Sequence, residues 1–476
     1  MSSKKPIGPK QPRVDLPVIR DRSHSPNIKS LASSCRDDLF LSKVMFCSQP
    51  LSKNAYSEVD RQDRRRYSQE ILSMMNQKES VEKFISPNLP AIFRVIEGTL
   101  FRPLQKLTSV GCENETLDQS EKEQLTDPTW PLVSPVYTLF QRILECSFIS
   151  QKDVKHLIGD LFIQRFLELF DSEYSPEKSI LRSLLHLLYL KQIGLRKSIR
   201  KAMNELFYTL IHVEYKFNGA SEILEIQGSI ISGFAVPIKE EHLSFFRTVV
   251  LPLHKLPTCQ LFHEDLMRCT VLFVNKDHML GLEVIDYLVK VWPHTNSNKQ
   301  IKFLEEMMII TGIVPCEDLN THIKKMAKKV AVLLGSSHFK ACDFAISCFE
   351  KKDFLSLIES YKSLVFPIVI PVLSKAKDEC WQPTIRESLC GLSRLLEEID
   401  CKLYIESDRR GPTEESNTLG SKAERSPKER VWEKLKIKAE RLIKDIDLKP
   451  PPYKDDHVIG NFNGLDNTNM IIPEIM

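Results

Sequence analysis

Glycine is scarce in this chain, 16 residues in 476, and strand-type alternation of apolar and polar residues is nearly absent along it. Both features argue against a protein built of sheet and favour helices joined by tight turns. No CxxC pair occurs, and the twelve cysteines are scattered singly from Cys35 to Cys401 with no Cys/His cluster at zinc spacing. Neither a disulfide framework nor a cysteine-ligated metal is therefore expected, and the cysteines read as small packed hydrophobes. The longest apolar run, SLVFPIVIPVLSK, holds two prolines and is far too short to span a bilayer. The opening residues, MSSKKPIGPKQPRVDLPVIRDRS, lack the apolar segment of a signal peptide. The expectation is a soluble, intracellular, thiol-reduced protein without membrane insertion.

Charge of one sign is also missing. Lys+Arg at 66 nearly balances Asp+Glu at 63, so net charge gives no support to a nucleic-acid or membrane partner. The basic run RQDRRRY at 61–67 lacks interleaved aromatics and has Glu58, Asp60 and Asp63 beside it, which reads as a solvated helix start. GxxxxGK followed by Ser or Thr, GxGxxG, HExxH and GxSxG are all absent, which removes the common phosphate cradles, a zinc-protease helix and a nucleophile elbow. The pairs Glu240–Glu241, Glu305–Glu306 and Glu397–Glu398 suggest acid/base dyads only on paper. Adjacent residues on a helix point about 100° apart, so these read as solvated faces. The expectation is no catalytic residue, no metal, no cofactor and no enzyme.

What is present is helix. Residues 1–36 are polar and rich in Ser, Pro and Arg, the composition of a disordered arm. From 37 to 404 apolar periodicity runs almost without a break. Residues 405–428 turn polar again as a linker, 429–447 read as one further helix, and 448–476 as a disordered tail. Serines precede prolines at Ser25-Pro26 and Ser426-Pro427 in these polar regions, a weak signal for phosphorylation. From Trp130 onward there are roughly fourteen helix-length segments about twenty residues apart, such as SPVYTLFQRILECSF and ASEILEIQGSIISGF, with apolar residues at i, i+3, i+4 and i+7. Pairs of them give a period near forty, the length of a HEAT or armadillo unit. Such helices bury both apolar flanks only by stacking side by side. The fold expected is all-α, an α-solenoid of degenerate HEAT-like helix-pair repeats, with an irregular helical domain as the rival.

One hairpin stands out, SILRSLLHLLYLKQIGLRKSIRK at 179–201. Its first helix should end near Gln192, with Gly194 in a C-terminal turn, and its second should start near Arg196. His186 and Tyr189 then share a face at i, i+3, as do Arg196 and Arg200 at i, i+4. The next helix carries Ile226 and Ile230 with Glu225 beside them. In a solenoid the second helices of successive pairs stack along one concave face, which would set the arginines of one pair beside the isoleucines of the next. An apolar floor, aromatic wall and cationic rim suit a linear peptide with aliphatic anchors and an acidic residue, because the planar guanidinium binds carboxylate bidentately. Periodicity alone favours a plainer reading, with edge residues that are satisfied and arginines that snorkel to solvent.

The run HLLYLKQIGLRKSIRKAMNELFYTLIHVEYKFNGASEILEIQGSIISGFAVPIKEEH, from 186 to 242, tips that balance. It resembles the B-prime family of regulatory subunits of the type 2A serine/threonine phosphatase. The resemblance continues through LPLHKLPTCQLFHEDLMRCTVLFVNKD, VWPHTNSNKQIKFLEE, SSHFKACDFAI and CWQPTIRE, and upstream through FIQRFLELFDSE and TWPLVSPVYTLFQRILE. It reaches DDLFLSKVMFCSQPLS near residue 38 and RVWEKLKIKAERLI near the C-terminus, and so covers most of the chain outside its tails. It implies a non-catalytic solenoid that docks on the phosphatase's scaffold and catalytic subunits and selects substrates through a groove for Leu-x-x-Ile-x-Glu peptides. Carried onto this chain, the groove comprises His186, Tyr189, Arg196, Glu225, Ile226 and Ile230, with Arg200, Lys239 and His242 as its basic rim. Ile226 and Ile230 would form the isoleucine pocket, and Arg196 would hold the acidic end.

Two departures stand against the family pattern. Leu187 follows His186 where the family has His-Arg, so one cation is lost. The family's Asn-Glu-Leu-Glu-Glu-Ile is EEMMII here, which keeps Glu305 and Glu306 but places Met308 and Ile309 where acids are expected. Two other functions fit the same residues: a diverged solenoid that competes for the scaffold without recruiting substrates, and an unrelated scaffold or transport adaptor. Cytoplasmic residence is expected, with nuclear residence left open by the weak basic signal KAERSPKER.

Overall fold

The computed structural model describes residues 33–49, 58–104, 127–214 and 216–410. The sequence-predicted C-terminal helix at 429–447, its linker from 411 onward, the tail at 448–476 and residues 1–32 of the N-terminal arm lie outside the described residues. At the margins the helices overrun the expected bounds, since the first begins at Ser33 and the last ends at Arg410.

The periodicity resolves into helices α1 (Ser33–Cys47), α2 (Glu58–Met74), α3 (Leu89–Leu100), α4 (Trp130–Glu145), α5 (Asp160–Glu168), α6 (Ser175–Lys191) and α7 (Arg196–Thr209). These are followed by α8 (Ala220–Ser232), α9 (Glu240–Phe245), α10 (His263–Val274), α11 (Met279–Lys290) and α12 (Ser297–Thr311). The last are α13 (Asn320–Leu334), α14 (Phe339–Glu350), α15 (Lys362–Glu379), α16 (Pro383–Ile399) and α17 (Cys401–Arg410), with shorter helical turns between. Helix α9 runs on through a π turn, Phe246–Val250, into Leu251–Leu253. Among the described residues there is no strand, and no single helix is long and apolar enough to cross a membrane.

From α4 onward the helices sort into two layers. The even-numbered ones stack in order, α4 on α6, α6 on α8, and so to α16. The odd-numbered ones form the other layer, with α5 on α7, α7 against the π turn of α9, α11 on α13, α13 on α15 and α15 on α17. This is the α-solenoid that the period near forty implied. Side-chain links carry the same period: Arg182 pairs with Glu225, Ser221 with Asp265, Lys299 with the Leu256 carbonyl and Lys276 with the Ser232 carbonyl. Each joins a helix or turn to its counterpart one repeat away.

A single continuous core runs between the layers, from Phe40 to Tyr404. Burying each Leu, Ile, Val or Phe in it contributes about 1.5–3 kcal/mol relative to exposure, which no helix pair could gain alone. Cysteines take part as hydrophobes. Cys47, Cys259, Cys269, Cys342 and Cys348 are buried, and burial pushes the Cys259, Cys269 and Cys348 thiols up to about 12, far from reactive thiolates.

Two buried arginines hold the N-terminal half. In RQDRRRY, Arg61, Arg65 and Arg66 are exposed as expected of a solvated helix start, but Arg64 is only 2% exposed. Its guanidinium donates to the carbonyls of Cys47 and Gln49 and to Thr99 Oγ1, binding α2 to the end of α1 and to α3. Arg102 reaches Glu177 and Asp127, both at 2.9 Å, while Tyr137 Oη and Ser172 Oγ donate to the same Glu177 carboxylate. That network joins α3 to α4 and α6, and its members satisfy one another away from water.

Candidate functional site

The hairpin singled out in the sequence consists of α6, one 3-10 turn at Ile193–Leu195 and α7. Gly194 therefore sits inside the 3-10 turn and not at a helix C-cap. A side chain there would collide with the end of Lys155, whose Nζ lies 2.6 Å from the position of a Cβ.

The turn throws Arg196 back over the end of α6. Its Nε donates to the Tyr189 carbonyl at 2.9 Å and its Nη2 to the Leu190 carbonyl at 3.4 Å, carbonyls that the helix itself leaves without partners. The guanidinium carbon sits 5.1 Å from the centre of the Tyr189 ring, within cation–π range. One turn further along α7, Arg200 donates to Tyr189 Oη at 3.1 Å. Tyr189 is thus held by both arginines, and His186 lies one helical turn before it on the same face of α6. Arg196 has a structural task as a cap, yet keeps further donors free to turn outward.

The isoleucines come from the even layer and not from the layer that carries the arginines. Helix α8 packs on α6, which sets the isoleucines beside the first helix of the preceding pair. Ile226 and Ile230 are 2% and 5% exposed and belong to the core between the layers. Glu225 is engaged by Arg182, a residue the sequence reading passed over although it stands one turn before His186 on the same face. Lys178 and Glu222 pair at 2.8 Å one turn earlier, so a ladder of ion pairs edges the α6–α8 seam.

The rim is basic. His242 stacks on Phe234 with ring centroids 3.7 Å apart and planes 8° from parallel. Burial lowers the His242 pKa below its usual value, and the positive charges of Arg200 and Lys239 add to this against the opposing pull of Glu241. Arg200 on α7 and Lys239 and His242 at the start of α9 therefore share one electrostatic neighbourhood. Among the described residues no carboxylate pairs with Arg196, Arg200 or Lys239. Phe234 was missed in the sequence because it lies past the end of α8, where helical periodicity carries no information.

A second cluster was missed altogether. Glu306, read in the sequence as half of a solvated Glu-Glu pair, is completely buried, while Glu240, Glu241, Glu397 and Glu398 are exposed. His254 Nε2 approaches the two Glu306 carboxylate oxygens at 3.2 and 3.1 Å. His254 Nδ1 lies 3.1 Å from the Val250 and Leu251 carbonyls, which only accept, so Nδ1 carries a proton. Its Nε2 faces the carboxylate, so His254 bridges the backbone and Glu306. His263 Nε2 stands 3.0 Å from Glu306 Oε2 without the alignment of a good hydrogen bond. Burial alone would push the Glu306 carboxyl up, but the two imidazoles, His254 foremost, reverse this and hold it down to about 2. The three ligand atoms lie within 4.8 Å of one another, a donor set of the kind that binds zinc. His254 and Glu306 already bond one another with His263 close by, which makes the cluster a joint between the end of the α9 segment, α10 and α12.

The EEMMII departure has a plain structural meaning. Glu306 serves that joint, Met308 is buried, and only the half-buried Glu305 and the exposed Ile309 bear on the outer surface. No acidic surface is formed by this segment.

Comparison with known proteins identifies the family. The family described as protein phosphatase 2A regulatory B subunit (B56 family) matches residues 25–439. The chain is 34% identical over 362 residues to the serine/threonine-protein phosphatase 2A regulatory subunit pptr-1 of Caenorhabditis elegans, a match covering 76% of this chain and 64% of that protein. It is 31% identical over 450 residues to the 56 kDa regulatory subunit delta isoform of Oryctolagus cuniculus, covering 92% and 75% respectively. With the 56 kDa regulatory subunit alpha isoform of Homo sapiens the identity is 31% over 438 residues, covering 92% and 88%. All three relatives are named as regulatory subunits and none as a catalytic one.

Proposed function

The chain belongs to the B56 family of regulatory B subunits of protein phosphatase 2A, and from that premise we propose that it docks on the phosphatase's scaffold and catalytic subunits and recruits substrates through a groove for Leu-x-x-Ile-x-Glu peptides. The observation that carries the groove is the set of cations, Arg196, Arg200 and Lys239, left without acidic partners among the described residues and gathered around Tyr189 and His242. A peptide carboxylate supplies what that rim lacks, and charge-assisted bonds to guanidinium are the strong ones. Holding a motif near the catalytic subunit raises its effective concentration there, which is how a non-catalytic subunit sets specificity.

Docking draws support from the ends of the pairs. In a solenoid the turns within pairs line one edge, and here Phe148, Ile193 and Val236 in three successive turns, with Met279 at the start of α11, are exposed apolar side chains that a partner could cover.

The test is a tagged full chain recovered from cells. Serine/threonine phosphatase activity should accompany it, and a labelled Leu-x-x-Ile-x-Glu peptide should bind the purified chain with an affinity that falls as salt rises. Activity without peptide binding would leave the competitor reading in its place. Leu187 adds a graded check. It is half-buried and packed against the core beside His186, and Leu187→Arg is expected to restore a cation at the groove. One added charge-assisted contact strengthens binding by about 1.5–3 kcal/mol, or tenfold and upward, read as a shift in the anisotropy midpoint.

A further inference from the structure

Two imidazoles stand among the groove residues, but only His242 is enclosed by the rim. Phe234, from the turn after α8, covers one ring face. Arg200 approaches from α7 and Lys239 from the turn before α9. Glu241, exposed and from the same helix, sits 3.6 Å from Nε2. The ring is 14% exposed, so an incoming group can reach its edge while its face stays covered.

In the free protein burial favours the neutral ring, and the positive charges of Arg200 and Lys239 add to this against the opposing pull of Glu241. An acidic side chain reverses that balance. It brings an opposite charge, offsets the two cations, and offers an acceptor to a protonated Nε2. We propose that the groove takes up one proton as it binds: the carboxylate of an acidic peptide, seated among Arg200, Lys239 and His242, converts His242 to its imidazolium form, so acidic peptides bind more tightly as the pH falls from about 8 to about 6. This rests on the proposed peptide groove and adds to it a regulation by pH.

The sign follows from linkage. The complex holds more protons than its separated parts, so affinity rises as pH falls between the His242 pKa of the complex and the lower one of the free protein. A single proton limits the gain to about tenfold per pH unit. Below about pH 5 the peptide carboxylate itself begins to protonate and binding weakens again.

The experiment uses the full chain and a labelled peptide, Leu-Ala-Ala-Ile-Ala-Glu with an amidated end, at pH 6, 7 and 8 and constant ionic strength. Wild type, His242→Gln and His186→Gln are compared, with melting curves to verify folding. Calorimetry in two buffers of different ionisation enthalpy counts protons directly. The expected result is a gain of about threefold to tenfold from pH 8 to pH 6 in wild type with net proton uptake, a flat profile for His242→Gln, and a slope retained in His186→Gln. A wild-type affinity that does not change with pH, or a slope that survives in His242→Gln, overturns the proton linkage and leaves the groove standing. Absence of binding at every pH overturns both together, so the two failures are told apart.

Discussion

Glu306→Ala should cost the fold about 3–5 kcal/mol, the usual consequence of removing one partner from a buried ion pair and stranding the other. His254 is the stranded group. Its Nδ1 is committed to backbone carbonyls, and without the carboxylate its Nε2 loses its partner in a place closed to water. A drop in melting temperature or in the urea midpoint measures the loss, and Glu306→Gln should fall between wild type and alanine because an amide still bonds the rings. Replacing all three, His254→Phe with His263→Leu and Glu306→Met, should cost less than Glu306→Ala alone, since no charge is left behind. The same joint shapes the acid limb of stability. The folded carboxyl titrates at about 2, below its ordinary 4.5. Its contribution is therefore complete above about pH 4.5 and is lost as the pH falls toward 2, with stability declining across that window. Glu306→Gln should flatten that part of a melting-temperature profile, and a profile as steep as wild type would remove Glu306 as its cause.

Arg196→Glu carries the largest expected effect on binding. In the proposed groove the change removes the cation that would face the peptide's acidic end and sets a carboxylate in its place. A lost charge-assisted contact and a new like-charge contact together amount to about 3 kcal/mol or more, at least a hundredfold in Kd. Part of the effect has another source, because Arg196 also caps α6 and a negative charge near a helix C-terminus is unfavourable by about 0.3–1 kcal/mol. The two contributions separate in measurement. Loss of the cap appears in the melting curve, while loss of the ligand appears in anisotropy with a salt dependence shallower than wild type. Arg196→Lys keeps the charge and gives up the planar fork, so it should bind between the two. Equal peptide affinity in wild type and Arg196→Glu would remove this arginine from the groove.

The fold was legible because its determinants are local. Apolar residues at i, i+3, i+4 and i+7 place helices, and their alternation with short turns places pairs. The hairpin ends near Gln192 and Arg196 were readable for the same reason. What escaped were residues joined across repeats. His254 and Glu306 are 52 positions apart, so no search at zinc-like spacing finds them, and a glutamate inside a helix looks solvated until its partners in other repeats are known. Arg64 hides similarly within a charged run, because the carbonyls it caps belong to the preceding helix. The candidate groove residues were named through resemblance more than through pattern. Periodicity set His186 beside Tyr189 and Arg196 beside Arg200, but assigned the isoleucines to the wrong layer, since hydrophobic spacing does not say which neighbour a helix faces.

The links that bind one repeat to the next also have a mechanical side. Arg182 to Glu225, Lys276 to the Ser232 carbonyl and Lys299 to the Leu256 carbonyl each cross a single seam. A solenoid joined only to its neighbours bends by small rotations that add along its length, as in a jointed beam. The proposed groove would straddle one such seam, with Arg196 and Arg200 on one side and Ile226, Ile230 and His242 on the other. On that reading its width would follow the curvature of the chain, and flexing the solenoid would tighten or loosen its hold on a peptide.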